Sequence, residues 1–134
     1  MLELHGWLTV YPTYEDEDKH PEIKEQAVYQ NVENLLAQCG IEQMKRLKAL
    51  DGSWYIDVSY FSNRPDSESD KIINTFKKIA EVAPGSYGLI YVLDDEDTEN
   101  SNNFKVLVIK RGKYSWQKDI LLSPCMPELY DEIS

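Results

Sequence analysis

Residues 87–93, YGLIYVL, and residues 104–109, FKVLVI, are the two most apolar runs that strand-sized segments of this 134-residue chain offer. Short apolar runs bounded by turn residues are typical of buried strands, so we expect both at the centre of a sheet. The segment 2–11, LELHGWLTVY, alternates apolar and polar side chains with a period of two. It predicts a first strand with one face against the core.

Two amphipathic helices lie between the predicted strands. Apolar residues recur at helical spacing over residues 21–39 and again over residues 67–83. Between them, residues 44–50 and 54–61 read as strands joined by Asp51-Gly52, a dipeptide that favours a tight hairpin turn.

The resulting order, β-α-β-β-α-β-β, predicts an α+β fold. We expect an antiparallel sheet of about five strands with two helices on one face, a split-βαβ-like arrangement. The chain, 1–134, is expected to form a single domain with its core in residues 1–112. Residues 113–134 contain prolines that interrupt regular pairing, which predicts an irregular C-terminal tail wrapping the surface.

The charge balance excludes several function classes. The chain has 14 basic and 24 acidic residues, for a net charge of −10, and such a chain is repelled by the phosphates of nucleic acid.

The apolar runs are too short for a membrane protein. No apolar run approaches the roughly 18 residues of a membrane span, and no signal sequence is visible at residue 1. We therefore expect a cytoplasmic protein without direct contact to nucleic acid or membrane.

The sequence offers little that points to catalysis. His5 falls within the first strand and His20 beside an acidic run, and neither has a nucleophile motif nearby. The acidic run 94–99 lacks the glycine and the distal glutamate of an EF-hand loop. We expect no catalytic residue, no metal site and no cofactor.

The acidic residues cluster on predicted loops that have aromatic residues beside them. One interpretation is a solvated surface that keeps the protein soluble. The other is a surface that docks on a basic partner such as a nuclease, since carboxylates steer such a protein and aromatic side chains anchor it. The predicted partner-binding residues are Tyr14, Glu15, Asp16, Glu17, Asp18, Asp94, Asp95, Glu96, Asp97, Glu99 and Trp116.

Particular strings give a more specific indication. They are LHGW at residues 4–7, APGSYGLIYV at 83–92, DDED at 94–97, RG at 111–112 and LSPCMP at 122–127. Together they resemble the bacterial immunity protein family seven, and the similarity extends from residue 4 to about residue 131.

The resemblance implies an antitoxin that performs no chemistry. Proteins of this family accompany toxins of polymorphic or contact-dependent inhibition systems and bind the toxin domain. We expect a 1:1 heterodimer in which an acidic surface blocks the active site of a nuclease toxin or an adjacent exosite. The residues that match the family pattern and are expected to be structural are Trp7, Gly85, Tyr87, Gly88, Gly112 and Pro124. Trp7 is expected to pack, with its indole N–H bound to a partner.

Two other functions fit the same layout. A small-ligand or metal-binding domain would need a deep apolar pocket with convergent polar groups. A homodimeric scaffold would pair through a sheet edge or through the open face of the sheet.

Overall fold

The computed structural model of the protein describes residues 1–13, 21–48 and 54–125. Eight elements follow one another along these residues. They are β1 (Leu2–Val10), α1 (Pro21–Cys39), β2 (Met44–Lys48), β3 (Trp54–Ser62), α2 (Ser67–Val82), β4 (Tyr87–Asp94), β5 (Lys105–Lys110) and β6 (Lys113–Lys118).

The strands form one antiparallel sheet in the order β2-β3-β1-β4-β5-β6. β1 lies between β3 and β4, so that Leu4 has Tyr60 and Val92 as its two cross-strand neighbours. The prediction that β4 lies at the centre of the sheet is confirmed. β5 was expected there too, but the two central strands are β1 and β4, and β5 lies on the outer side of β4. The α+β class, the two helices and the antiparallel sheet are confirmed.

The sixth strand, β6, lies in the segment that the sequence assigned to the irregular tail. Lys110 and Lys113 pair across a two-residue turn in which Arg111 and Gly112 have φ values of 52° and 73°. Two positive φ values in a row give the type of hairpin turn that matches the twist of paired strands. All six side chains of β6 are exposed, so no apolar alternation marked it in the sequence.

The core lies between the helices and one face of the sheet. Leu4 and Leu8 of β1, Val32 of α1 and Phe76 of α2 belong to one cluster of buried side chains. Because side chains alternate along a strand, the odd-numbered residues of β1 point away from the helices. The opposite face of the sheet is therefore open, and it carries Trp7.

α2 begins at a well-formed cap. The side chain of Asp66 accepts a hydrogen bond from the backbone N–H of Ser69, and the Ser69 hydroxyl lies against the backbone N–H of Asp66. Such a reciprocal pair satisfies amides that the first helical turn leaves without partners. The helix then buries Ile72, Phe76 and Ile79 at helical spacing.

Candidate functional site

The predicted acidic loop, residues 94–99, follows the end of β4 and is held by its own backbone. Oδ1 of Asp94 accepts a hydrogen bond from the Glu96 N–H at 3.0 Å. Oδ1 of Asp97 accepts from the N–H groups of Glu99 and Asn100 at 3.0 and 3.2 Å. Aspartate side chains that bind amides two residues ahead stabilise turns. Asp94 and Asp97 therefore build the loop.

The surroundings of the loop's carboxylates differ from one residue to the next. The hydrogen bond from Glu99 lowers the pKa of Asp97, and the bond from Asn100 and the nearby charge of Lys105 add to this effect against the opposing effect of burial. Asp95 pairs with the amino group of Met1 at 2.6 Å. The side chains of Glu96 and Glu99 are exposed, so these two acids point their charge to solvent.

Trp116 lies beside the acidic loop through a shared lysine. Nζ of Lys105 is 3.5 Å from Oδ2 of Asp97 and 5.6 Å from the Trp116 ring centroid. Nζ of Lys77 in α2 is 5.9 Å from the same ring and 5.0 Å from the ring of Tyr114. The structure thus brings Trp116 and Asp97 together through Lys105. The indole of Trp116 already has two lysine side chains of the same protein beside it.

The other predicted acidic run is not placed. Tyr14 and Glu15, Asp16, Glu17 and Asp18 lie outside the described residues. Thr13, the last described residue before them, lies against Gly85 at the start of β4. β4 has 8 residues, which span about 23 Å at a rise of about 3.3 Å per residue. Thr13 is therefore at the opposite end of the sheet from the loop 94–99.

The open face of the sheet carries Trp7 and Tyr87, which the sequence assigned to a structural role, beside Tyr11. Trp7, which was expected to pack, is 44% exposed and packs on this face against another aromatic ring. Its ring meets Tyr87 edge-on at 6.2 Å, and Tyr87 in turn stacks on Tyr11 at 6.3 Å. The signal was present in the odd-numbered positions of β1, which the alternation places on the face away from the core.

His5 lies on the same open face within a row of polar side chains. Nε2 of His5 is 2.8 Å from Oε1 of Glu3, and Nδ1 is 3.5 Å from the hydroxyl of Ser59. The row has the order of a serine, histidine and carboxylate triad, but the Ser59 contact is long for a hydrogen bond. These residues lie on the paired strands β1 and β3. The backbone amides there donate hydrogen bonds to neighbouring strands and do not form an oxyanion hole. His5 is a half-buried histidine with a satisfied ring nitrogen.

A comparison with known families decides the class of protein. A family model described as Immunity protein 7 matches residues 1–131, nearly the whole chain. The chain belongs to the Immunity protein 7 family. The resemblance found in the sequence is thereby confirmed, and the protein is an immunity protein that acts against a toxin. No curated protein and no solved structure matches the chain significantly.

The glycines of this immunity protein allow backbones to approach closely. A Cβ on Gly88 would lie 2.1 Å from the carbonyl oxygen of Trp7, and a Cβ on Gly85 would lie 2.4 Å from that of Thr13. Close approach of neighbouring backbones is what requires these two glycines. Gly112 has a φ of 73° in the β5–β6 hairpin.

The segment after β6 returns along the start of β5. The buried carboxylate of Asp119 accepts hydrogen bonds from the N–H groups of Leu121 and Leu122 and from the hydroxyl of Ser123. The Ser123 hydroxyl also accepts from the N–H of Phe104 at 2.8 Å. Pro124, which the family pattern includes, follows directly on this bonded turn.

The depressions in the described part of the chain are either small or broadly open to solvent. The depression between the helices, lined by Leu35, Cys39, Lys71 and Thr75, has a volume of about 160 Å³. Depressions of about 510 Å³ at the β5–β6 hairpin and about 700 Å³ beside Tyr29 are shallow and open, whereas small-molecule sites are enclosed clefts of roughly 300–1,000 Å³. Within the same described part of the chain, no group of three His, Cys, Asp or Glu side chains is arranged to hold a metal. Neither described helix has the length and apolar character of a membrane span.

Proposed function

We propose that this immunity protein neutralises a basic nuclease toxin by placing the acidic loop, residues 94–99, over the cationic surface that binds the nucleic acid. The single observation that carries this proposal is the construction of the loop. Asp94 and Asp97 bond the loop's own amides, while Glu96 and Glu99 direct their charge to solvent. The loop is thus a rigid, negatively charged projection.

The physical argument is electrostatic complementarity. A nuclease presents lysine and arginine side chains where its polyanionic substrate binds, and a surface of carboxylates attracts the same groups. A loop that is already ordered loses less conformational entropy on binding than a disordered one. The net charge of −10 adds long-range attraction to any basic domain.

The proposed complex is a 1:1 heterodimer that acts in the cytoplasm of the cell that makes the toxin, within a polymorphic or contact-dependent inhibition system. A standard interface buries about 800 Å² on each partner, and the acidic loop would be one part of it. Direct cover of the active site and cover of an adjacent exosite both keep the substrate out. The immunity protein itself catalyses nothing in this proposal.

The decisive variant reverses the charges that the structure leaves free. We expect Glu96→Lys combined with Glu99→Lys to lower the affinity for the toxin domain encoded beside this gene by about tenfold or more, because like charges then face each other. Both side chains are exposed, so the fold is retained. Titration calorimetry measures the affinity, and growth of cells expressing the toxin measures protection.

The matched control carries the same change of net charge elsewhere. Glu42 and Glu81 are exposed on the turn before β2 and on α2, and Glu42→Lys with Glu81→Lys is expected to retain at least a third of the wild-type affinity. Equal losses of affinity in the two double variants would show that the effect comes from net charge alone. The loop would then not be part of the interface. The nuclease assignment is tested separately, since a toxin domain that leaves DNA and RNA intact contradicts it.

A further inference from the structure

We propose that the open face of the sheet receives an arginine side chain of the toxin on an aromatic anchor made of Trp7, Tyr11 and Tyr87. This inference rests on the proposed function, because it names a second contact with the same basic partner. The anchor lies near the end of the sheet where β4 begins, whereas the acidic loop lies where β4 ends. The two contacts therefore fix the toxin at two separated points.

The anchor is a continuous, solvent-facing aromatic surface. The rings of Trp7 and Tyr87 meet at 87° with centroids 6.2 Å apart, and those of Tyr11 and Tyr87 are nearly parallel at 6.3 Å. All three side chains are more than 40% exposed. Their mutual contacts hold the rings in place, so a partner that docks there meets a rigid surface.

The protein's own lysines show what this type of surface binds. On β6, the rings of Tyr114 and Trp116 lie under Nζ of Lys77, and Trp116 also lies under Nζ of Lys105. Among the lysines and arginines whose side chains the structure describes, none is placed over the rings of the aromatic anchor. Tryptophan is the ring that attracts cations most strongly. The anchor therefore has room for a cation from outside.

A carboxylate beside the indole selects for arginine. Asp57 is the residue directly opposite Trp7 in the β1–β3 register, and it is exposed. Cross-strand neighbours have Cβ atoms about 5 Å apart, which lets one guanidinium stack on the ring and bond the carboxylate. A planar guanidinium makes both contacts at once, whereas an ammonium is a compact point charge. Lys45 on β2 is the other cross-strand neighbour of Asp57.

The chain supplies a matched control for the test. Tyr87 and Tyr114 are 47% and 43% exposed, and Tyr114 pairs with Ile109 at the end of β5 that is remote from the acidic loop. We expect Trp7→Ala and Tyr87→Ala to weaken binding of the toxin domain by about 10- to 30-fold and about 3- to 10-fold, since truncated aromatic anchors dominate interfaces. Tyr114→Ala should change the affinity by less than about threefold. A loss in Tyr114→Ala equal to that in Tyr87→Ala overturns the assignment.

A second set of variants separates a cation contact from an apolar one. Trp7→Leu keeps an apolar side chain but removes the ring, and it should lose nearly as much affinity as Trp7→Ala. Asp57→Asn should lose about threefold or more, chiefly at low salt. Wild-type affinity in Trp7→Leu would show that the partner brings an apolar group instead. Thermal unfolding of each variant verifies that the fold is intact.

The failure of this inference is distinguishable from failure of the proposed function. If Glu96→Lys with Glu99→Lys abolishes binding and Trp7→Ala does not, the contact through the acidic loop is supported and the contact through the aromatic anchor is rejected. If the wild-type protein does not bind the toxin domain, the proposed function falls first. If Trp7→Ala weakens binding and the loop variants do not, the interface lies on the open face and the loop takes no part in it.

Discussion

The phenol of Tyr60 donates a hydrogen bond to Oδ2 of Asp66 at 2.5 Å, while Oδ1 of the same carboxylate accepts from the Ser69 N–H at 2.8 Å. One side chain thus joins the end of β3 to the first turn of α2. The bond from Tyr60 is the main cause of a lowered pKa of Asp66, and the same bond is the main cause of a raised pKa of Tyr60. The pair fixes how the helix enters the core.

We predict that Tyr60→Phe lowers the free energy of unfolding, because it removes a part-buried hydrogen bond to a carboxylate. Asp66→Ala should have the larger effect because it removes the cap of α2 as well. Urea titration measures both, and Ser67→Ala, at an exposed neighbouring position, is the control. Purely additive losses in the double variant would contradict the coupling of the two residues.

The lowered pKa of Asp66 predicts how stability changes with pH. A carboxyl with a folded pKa below its unfolded value of about 3.9 stabilises the fold above that value, and this stabilisation is lost as the pH falls through the folded pKa. The difference in urea midpoint between wild type and Asp66→Asn should be present at pH 7 and vanish in acid. A difference that is independent of pH would show that the charge of Asp66 is not involved.

The arrangement of strands was predictable where alternation is strong and failed where it is absent. β1 and β4 carry clear apolar patterns, and Asp66 marks the start of α2 by its type and position. β6 has no buried side chain, so only its tight Arg111-Gly112 turn marked it. The order of strands depends on long-range pairing, for which a single sequence holds no direct signal.

For the candidate site, the sequence predicted the kinds of residue involved but not their arrangement. The acidic run 94–99 was visible as a charged loop, but the division between Asp97, which binds backbone amides, and Glu96, which faces solvent, depends on coordinates. The alternation of β1 placed Trp7 on the face away from the core, but its contact with Tyr87 depends on the pairing of β1 with β4. The lysines that lie over Trp116 come from distant positions in the chain.

We predict that Gly88→Ala unfolds the protein or lowers its free energy of unfolding by about 3 kcal/mol or more, because the new methyl group would enter the backbone of β1. Gly40→Ala is the contrasting variant. An added Cβ would make only an ordinary contact there, 3.8 Å from the carbonyl oxygen of Ala37, and Gly40 has a φ of 63°. The substitution should therefore cost only about 1 kcal/mol, the left-handed backbone penalty. Thermal unfolding ranks the two. A mild Gly88→Ala phenotype would mean that β1 and β4 lie further apart than described.

We predict that Asp119→Ala releases the segment after β6 without unfolding the sheet. Burial raises the pKa of Asp119, but hydrogen bonds from Leu121, Ser123 and Leu122 outweigh it and leave the pKa lowered. Removing the carboxylate leaves these donors without their acceptor. Hydrogen exchange should accelerate at the amides of Leu121 and Leu122, while those of β1 remain protected. Unchanged exchange at both amides would contradict this role of Asp119.

The proposed electrostatic docking predicts a strong effect of salt on the rate of association. Exposed carboxylates such as those of Glu96 and Glu99 act over distances that salt screens, since the Debye length falls from about 10 Å at 0.1 M to about 3 Å at 1 M. The association rate with the toxin domain should fall several-fold or more between about 50 and about 500 mM salt, with a smaller change in the dissociation rate. Stopped-flow fluorescence measures both rates. The variant Glu96→Lys with Glu99→Lys should show a shallower salt dependence than wild type, whereas Glu42→Lys with Glu81→Lys should retain more of it. If the association rate of the wild-type protein did not change with salt, the acidic loop would not steer the toxin domain electrostatically.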